Sequence, residues 1–243
     1  MTVASSNHSF VKNSCLHCAN KNCLINQSLH LKSVLKFTEN KKELKCKKGQ
    51  QFILEGASVT GLFVLLSGKV KVSRTGIYEK EQIVRFASEG EIIGHRGFTT
   101  EESYPINATA LEDSILCYFS KETLQQVLKI EPLFTYKFML FYANELGKSE
   151  IRVKLLSQMT VRERVIDTLL YVQRKFGQNQ GFISIILSRR EYADYAGTTE
   201  EQVIRTLSSL KNENLIRTKG KRIGIESVQL LQKEISEHNF YLG

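Results

Sequence analysis

The stretch from Leu187 to Ile225 constrains this chain most. Ser188 followed three residues later by Glu191 is a capping-box start. The short helix that follows carries Tyr192, Ala193 and Ala196 on its inner side, and Gly197 stops it. Thr198 or Thr199 then caps a second helix whose inner face is Val203, Leu207 and Leu210. A short helix, a glycine turn and a second helix with an apolar inner face form the helix-turn-helix pattern.

The outer face of the second helix runs Glu200, Glu201, Gln202 and on to Arg205. Glu201 and Arg205 are four residues apart and project together near the N-terminal end, the end that enters a major groove in this motif. Arg can bond guanine O6 and N7, Glu can accept from cytosine N4, and Gln can pair with adenine. Thr199, Glu201, Gln202 and Arg205 are therefore the candidate base-reading set. The alternative is a cap and a surface ion pair worth under about 1 kcal/mol. Beyond the helix, residues 214–225 read as a hairpin with a basic tip. Arg217, Lys219, Lys221 and Arg222 can lie along phosphates, and Arg189 and Arg190 can reach the backbone beside the first helix. A solvated hairpin tip is the alternative.

Upstream the texture changes three times. Residues 1–30 are an arm rich in Asn, Ser, His and Cys, and its first dozen residues read as disordered. Residues 31–120 read as a β-barrel or jelly roll. Eight of the 15 glycines fall between Gly49 and Gly97, separating apolar runs such as Leu62–Leu66 and alternations such as Val70-Lys71-Val72. Residues 121–157 switch to helical period, with Pro132 suited to a first turn. Leu133, Tyr136, Leu140, Ala143, Gly147, Ile151 and Lys154 then follow at steps of three and four, a stripe on a helix of about 25 residues, or about 37 Å. An apolar stripe of that length reads as a dimer seam; packing against the chain's own barrel is the alternative. Residues 158–243 read as helical with a strand at Phe182–Leu187 and the closing hairpin. The fold class is therefore α+β: an N-terminal barrel, a long dimerisation helix and a C-terminal winged helix-turn-helix.

Lys and Arg exceed Asp and Glu by 34 − 25 = 9, which favours a polyanionic partner. No run of about 18 apolar residues is present to span a membrane, and the polar start lacks the apolar core of a secretory signal, so the expected location is the cytoplasm. In that reducing compartment the crowding of Cys15, Cys18 and Cys23 points to a metal or redox role rather than a disulfide frame; Cys46 and Cys117 stand apart. A jelly-roll metalloenzyme needs two or three His facing into the barrel, and His95 is the one His in that segment. No Ser-His-Asp set, phosphate loop or zinc-hydrolase helix is visible either.

In these features the chain resembles the Crp/Fnr family of bacterial regulators. The resemblance rests on Lys48-Gly49-Gln50, Leu66-Ser67-Gly68 and Glu91-Ile92-Ile93-Gly94 in the barrel, on the long helix after Pro132, and on Glu201, Arg205 and Lys219-Gly220-Lys221. It implies a cyclic-nucleotide-type barrel and a homodimer. It also implies a two-fold symmetric double-stranded DNA operator with half-sites about 34 Å apart, and RNA polymerase as a further partner. The family's nucleotide-binding branch has Gly-Glu at the strand end and an Arg-Ser pair after it. Here Gly94 is followed by His95, the pair is replaced near Tyr104-Pro105-Ile106, and no Arg lies between Arg96 and Arg152. Gly94 and His95 mark the corresponding effector pocket, and tight cyclic-AMP binding is not expected.

The Fnr branch resembles this chain in having three cysteines in an N-terminal arm and a fourth late in the barrel. That resemblance implies Cys15, Cys18, Cys23 and Cys117 as ligands of a [4Fe–4S] cluster, and an oxygen or redox signal that acts on dimerisation and hence on DNA binding. The Cys18–Cys23 interval is one residue shorter than the branch's, and Cys46 falls outside the pattern. A zinc site and unligated thiols are the alternatives, as are another small effector or none.

Overall fold

The structure, a computed structural model, describes residues 14–241, so the start of the arm, including the stretch read as disordered, lies outside the described residues. The chain forms two compact units. One holds the residues up to Arg74 together with Arg85–Phe141; the other holds Thr75–Val84 and the chain from Tyr142 onward.

The first unit begins with the arm, which makes a tight turn at Cys15–His17 capped by the Ser14 hydroxyl. Helix α1 (Lys32–Thr38) follows. Eight strands then build two four-stranded sheets. Strands β1 (Lys42–Cys46), β3 (Gly61–Ser67), β6 (Ile92–Ile93) and β8 (Ser114–Ser120) lie in the order β1-β8-β3-β6. Strands β2 (Gln51–Ile53), β4 (Val70–Thr75), β5 (Glu81–Ala87) and β7 (Asn107–Ala110) lie in the order β2-β7-β4-β5. This is the jelly-roll arrangement the glycine spacing foretold, with neighbours paired antiparallel. Gly68 shows why glycine is needed at one turn: its φ is +102°, and a Cβ there would stand 2.2 Å from Ser114 Oγ.

Strand β3 is buried from Gly61 to Leu65, so both of its faces are covered. Its neighbour β8 also buries residues on both faces. Leu116 is fully buried, while Cys117 and Phe119 are buried on a strand whose successive side chains face opposite ways. Phe119 stacks on Phe37 of α1 with ring centroids 4.7 Å apart.

Ser120 caps α2 (Lys121–Ile130), and α3 (Pro132–Gln158) starts on the proline, as expected for a first-turn position. Its 27 residues make a helix of about 40 Å. Apolar residues occupy both of its sides. Phe134 and Phe138 are buried, whereas Leu133, Tyr136, Met139, Leu140, Leu146 and Val153 are exposed. The exposed band differs in its second half from the stripe read in the sequence. Gly147, Ile151 and Lys154 are partly covered, and the open positions there are Leu146 and Val153, one heptad apart and in step with Met139.

In the second unit α4 (Val161–Phe176) starts on a full capping box at Thr160 and buries Val165, Ile166, Leu169 and Leu170. The expected strand over Phe182–Leu187 is shorter. Only Phe182–Ile183 (β10) pairs, with β9 (Gln178–Asn179), because the tight turn through Gly181 leaves a two-residue partner. Helices α5 (Arg189–Ala196) and α6 (Glu200–Asn212), the hairpin β11 (Ile216–Lys219) and β12 (Arg222–Ile225), and α7 (Val228–Glu234) complete the unit.

Truncating a central β8 residue tests this packing. Leu116→Ala should lower the unfolding free energy by about 2–5 kcal/mol in urea titration. A loss below about 1 kcal/mol would mean that β8 is not a core strand.

Candidate functional site

The first candidate surface is the α5–α6 pair. Ser188 and Glu191 form the expected capping box, Gly197 takes φ +64° at the turn, and Thr199, not Thr198, accepts from the Gln202 N–H at the start of α6. Tyr192, Ala193, Ala196, Val203, Leu207 and Leu210 are buried, so the inner face is the one read from the sequence. Glu200, Glu201, Gln202, Ile204 and Arg205 are exposed on α6. Glu201 and Arg205 form no ion pair with each other and have no hydrogen-bond or ion-pair partner among the described residues, while Gln202 is held by the Thr198 hydroxyl at 3.2 Å. Ile204 was not singled out in the sequence, yet it is about half exposed, beside Arg205. Its position one residue past buried Val203 is the signal that places it on the outer side.

The basic residues divide into two groups. Lys219 and Lys221 are exposed at the hairpin tip and meet no partner among the described residues. The others are engaged within the fold. Arg189 donates to the carbonyls of Lys221 and Gly220 at 3.3 and 3.2 Å, and so ties the hairpin to α5. Arg190 pairs with Asp194 at 3.0 Å. Arg222 and Arg217 lie 4.4 and 5.1 Å from the Phe182 ring centre, and Arg217 also pairs with Glu226.

The second candidate surface is a small recess in the first unit. Cys15, Cys18 and Cys23 from the arm and Cys117 from β8 all line it, with Ile25, Val64, Leu65 and Phe119 as apolar wall. Burial pushes the Cys117 thiol up to about 12 and raises those of Cys15 and Cys23, with Lys41 pulling Cys15 and Cys117 back. Cys46 is buried elsewhere and pushed up to about 11 by desolvation. Among the described residues no three His, Cys, Asp or Glu side chains converge to hold a single metal ion. A zinc ion needs its thiolates within about 2.3 Å of one centre, whereas a [4Fe–4S] cluster has several irons over which to spread its four cysteines. The Asn20 side-chain amide also lines the recess, and its Nδ2 is buried with no hydrogen-bond partner among the described residues. Four thiols, an apolar wall and a spare donor fit the cluster's donor set and acceptor sulfurs.

The barrel interior near Gly94 is filled. Gly94 has φ +87°, and a Cβ there would stand 3.1 Å from the Tyr104 ring and 3.2 Å from Ile53. Tyr104 is buried and donates to the Gly61 carbonyl at 2.7 Å. His95 is buried edge-on to Phe141, with centroids 4.9 Å apart.

Comparison with known proteins finds a family match within each unit. Residues 43–131 match the family model described as a cyclic nucleotide-binding domain, and residues 163–234 match that of a Crp-like helix-turn-helix domain. The chain belongs to the Crp/Fnr family of transcriptional regulators. The transcriptional activator protein anr of Pseudomonas aeruginosa is 29% identical over 76% of this chain and 77% of that protein. The fumarate nitrate reduction regulatory protein of Klebsiella oxytoca is 28% identical over 79% and 77%. Among solved structures, FixK2 from Bradyrhizobium japonicum is 25% identical with a TM-score of 0.71, covering 79% of this chain and 96% of that one. The c-di-GMP responsive regulator CLP of Xanthomonas campestris shares the fold, with a TM-score of 0.72 at 18% identity, over 81% and 99%. As a Crp/Fnr regulator the chain binds double-stranded DNA in a sequence-specific manner, and its matched relatives are regulators rather than enzymes. No helix among the described residues is long and apolar enough to cross a membrane.

Thiol reactivity checks the recess. In the metal-free protein at pH 8, a Cys117 thiol near 12 should be alkylated more than about 100-fold more slowly than in denaturant, where its value returns to about 8.5. Peptide mass spectrometry reads the rate; equal rates in the two states would place Cys117 outside a buried recess.

Proposed function

We propose that this Crp/Fnr regulator is a cytoplasmic homodimer that reads a two-fold symmetric operator, contacts RNA polymerase, and senses oxygen or redox state through a [4Fe–4S] cluster on Cys15, Cys18, Cys23 and Cys117. The gathering of these four thiols around one apolar recess carries the sensory reading. When bound, the cluster supplies a redox- and oxygen-reactive centre; the chain's own residues supply the thiols, the wall and the buried Asn20 amide.

The exposed apolar band on α3 supports the dimer. Met139, Leu146 and Val153 recur at heptad spacing, and a contiguous apolar band on a helix of about 40 Å asks for a partner helix. In the dimer each α6 presents Glu201 and Arg205 to a major groove, with Gln202 and Thr199 at the same end and Ile204 suited to a thymine methyl. Lys219 and Lys221 meet phosphates. Arg189, which ties the hairpin to α5, Arg222, which lies over Phe182, and Arg190, paired with Asp194 within α5, add further backbone contacts. The Tyr104 side chain occupies the space beside Gly94, and no Arg lies between Arg96 and Arg152 to stand where the nucleotide-binding branch has its Arg-Ser pair, so tight cyclic-AMP binding at Gly94 and His95 is not expected.

Two measurements test the reading. Protein isolated without oxygen should carry iron and acid-labile sulfide in equal amounts with thiolate-to-iron charge-transfer absorbance. Zinc alone, or no metal, would contradict it. Arg205→Ala should cost about 1–3 kcal/mol at one operator base pair and relax specificity there, as read by gel shift on base-substituted duplexes. An equal loss on every sequence would make Arg205 a phosphate contact.

A further inference from the structure

Among the residues lining the cysteine recess Lys41 alone carries a charge. It sits between α1 and β1, and its Nζ lies 3.0 Å from Oε1 of Glu43, the two side chains being 4% and 6% exposed. Stability does not account for such a pair. Taking two charges out of water costs roughly what their attraction returns, and an apolar pair of the same size does as well. The placement is informative instead. The ammonium faces the recess, and Glu43 lies directly opposite Cys117 in the β1–β8 register, where its carboxylate repels a thiolate.

Four thiolates bring net negative charge into a pocket walled by Ile25, Val64, Leu65 and Phe119. Buried charge of one sign needs a counter-charge close by. We propose that Lys41 is that counter-charge: a positioning residue whose ammonium offsets the thiolates of a bound [4Fe–4S] cluster, while the Glu43 carboxylate, opposite Cys117, works against them. The proposal rests on the cluster reading above and adds a determinant that the cysteine pattern does not contain. It makes the two halves of one ion pair act in opposite directions. Removing the cation loosens the cluster; removing the carboxylate leaves the cation in place and takes away a repulsion.

The test uses the full chain, as wild type, Lys41→Met, Lys41→Arg and Glu43→Gln, each loaded with iron and sulfide without oxygen. Loss of charge-transfer absorbance to an excess iron chelator gives the rate of cluster release, and protein-film voltammetry gives the reduction potential. Lys41→Met should release the cluster at least about tenfold faster than wild type and shift the potential downward. Lys41→Arg should stay within about twofold of wild type, since it keeps the charge. Glu43→Gln should hold the cluster at least as long as wild type and shift the potential upward. If the Met variant does not fold, as judged by circular dichroism of the metal-free protein, Lys41→Gln takes its place. Equal acceleration in Lys41→Met and Glu43→Gln would mark the pair as merely structural and overturn the proposal, as would a Lys41→Met variant indistinguishable from wild type. A wild type that takes up no iron and sulfide would overturn the cluster reading and this proposal together.

Discussion

Strand β8 is hydrogen-bonded on both edges, to β1 and to β3, so it cannot slip by one residue without turning Cys117 and Phe119 away from the face they share. That register sets Cys117 opposite both Glu43 and Val64. It also brings Phe119 against Phe37, which fixes α1 over the sheet and, through the turn that follows it, the position of Lys41. Among its described residues the arm buries Ile25 and Ser28, and it meets β8 at the recess. A group that bound all four thiols would therefore act on how firmly the arm is held.

From β8 the packing continues along α3. Phe37 neighbours Phe134, and Phe134, Phe138 and Phe141 follow one another on the helix with centroids 5.9–6.1 Å apart, ending at the His95 ring. The face of α3 that carries these rings is spent on its own unit, which leaves the band of Met139, Leu146 and Val153 for a partner. In the second unit Arg152 of α3 pairs with buried Asp167 at 3.1 Å and lies over the Tyr195 ring, which stacks in turn on Tyr171. Each half of the long helix is thus fastened to its own unit by specific contacts.

Much of this was legible in the sequence because it is written in local signals. Capping boxes, the glycine at 197, the proline at 132 and the period of Val203, Leu207 and Leu210 each specify a structure within a few residues, and each appears where it was read. The long-range consequences were not legible. A lysine in the run Asn40-Lys41-Lys42-Glu43 reads as solvated, and only the fold of β1 beside β8 buries it. Arg189 and Arg222 carry the charge of phosphate ligands, yet they have partners in the hairpin and on Phe182 that lie 31 to 40 residues away in the chain. In the second half of the α3 stripe Gly147, Ile151 and Lys154 are partly covered because apolar residues occupy both sides of that helix, and the pattern does not say which side its own unit will cover.

The central claim is that the state of the cysteine recess governs association of the long helices and, through them, DNA binding. Sedimentation velocity of the full chain without oxygen, with its iron and sulfide in place and after their removal by chelation, tests it most directly. A dimer in the loaded protein that shifts toward monomer on removal is the expected result. An unchanged dimerisation constant in the two forms would contradict it.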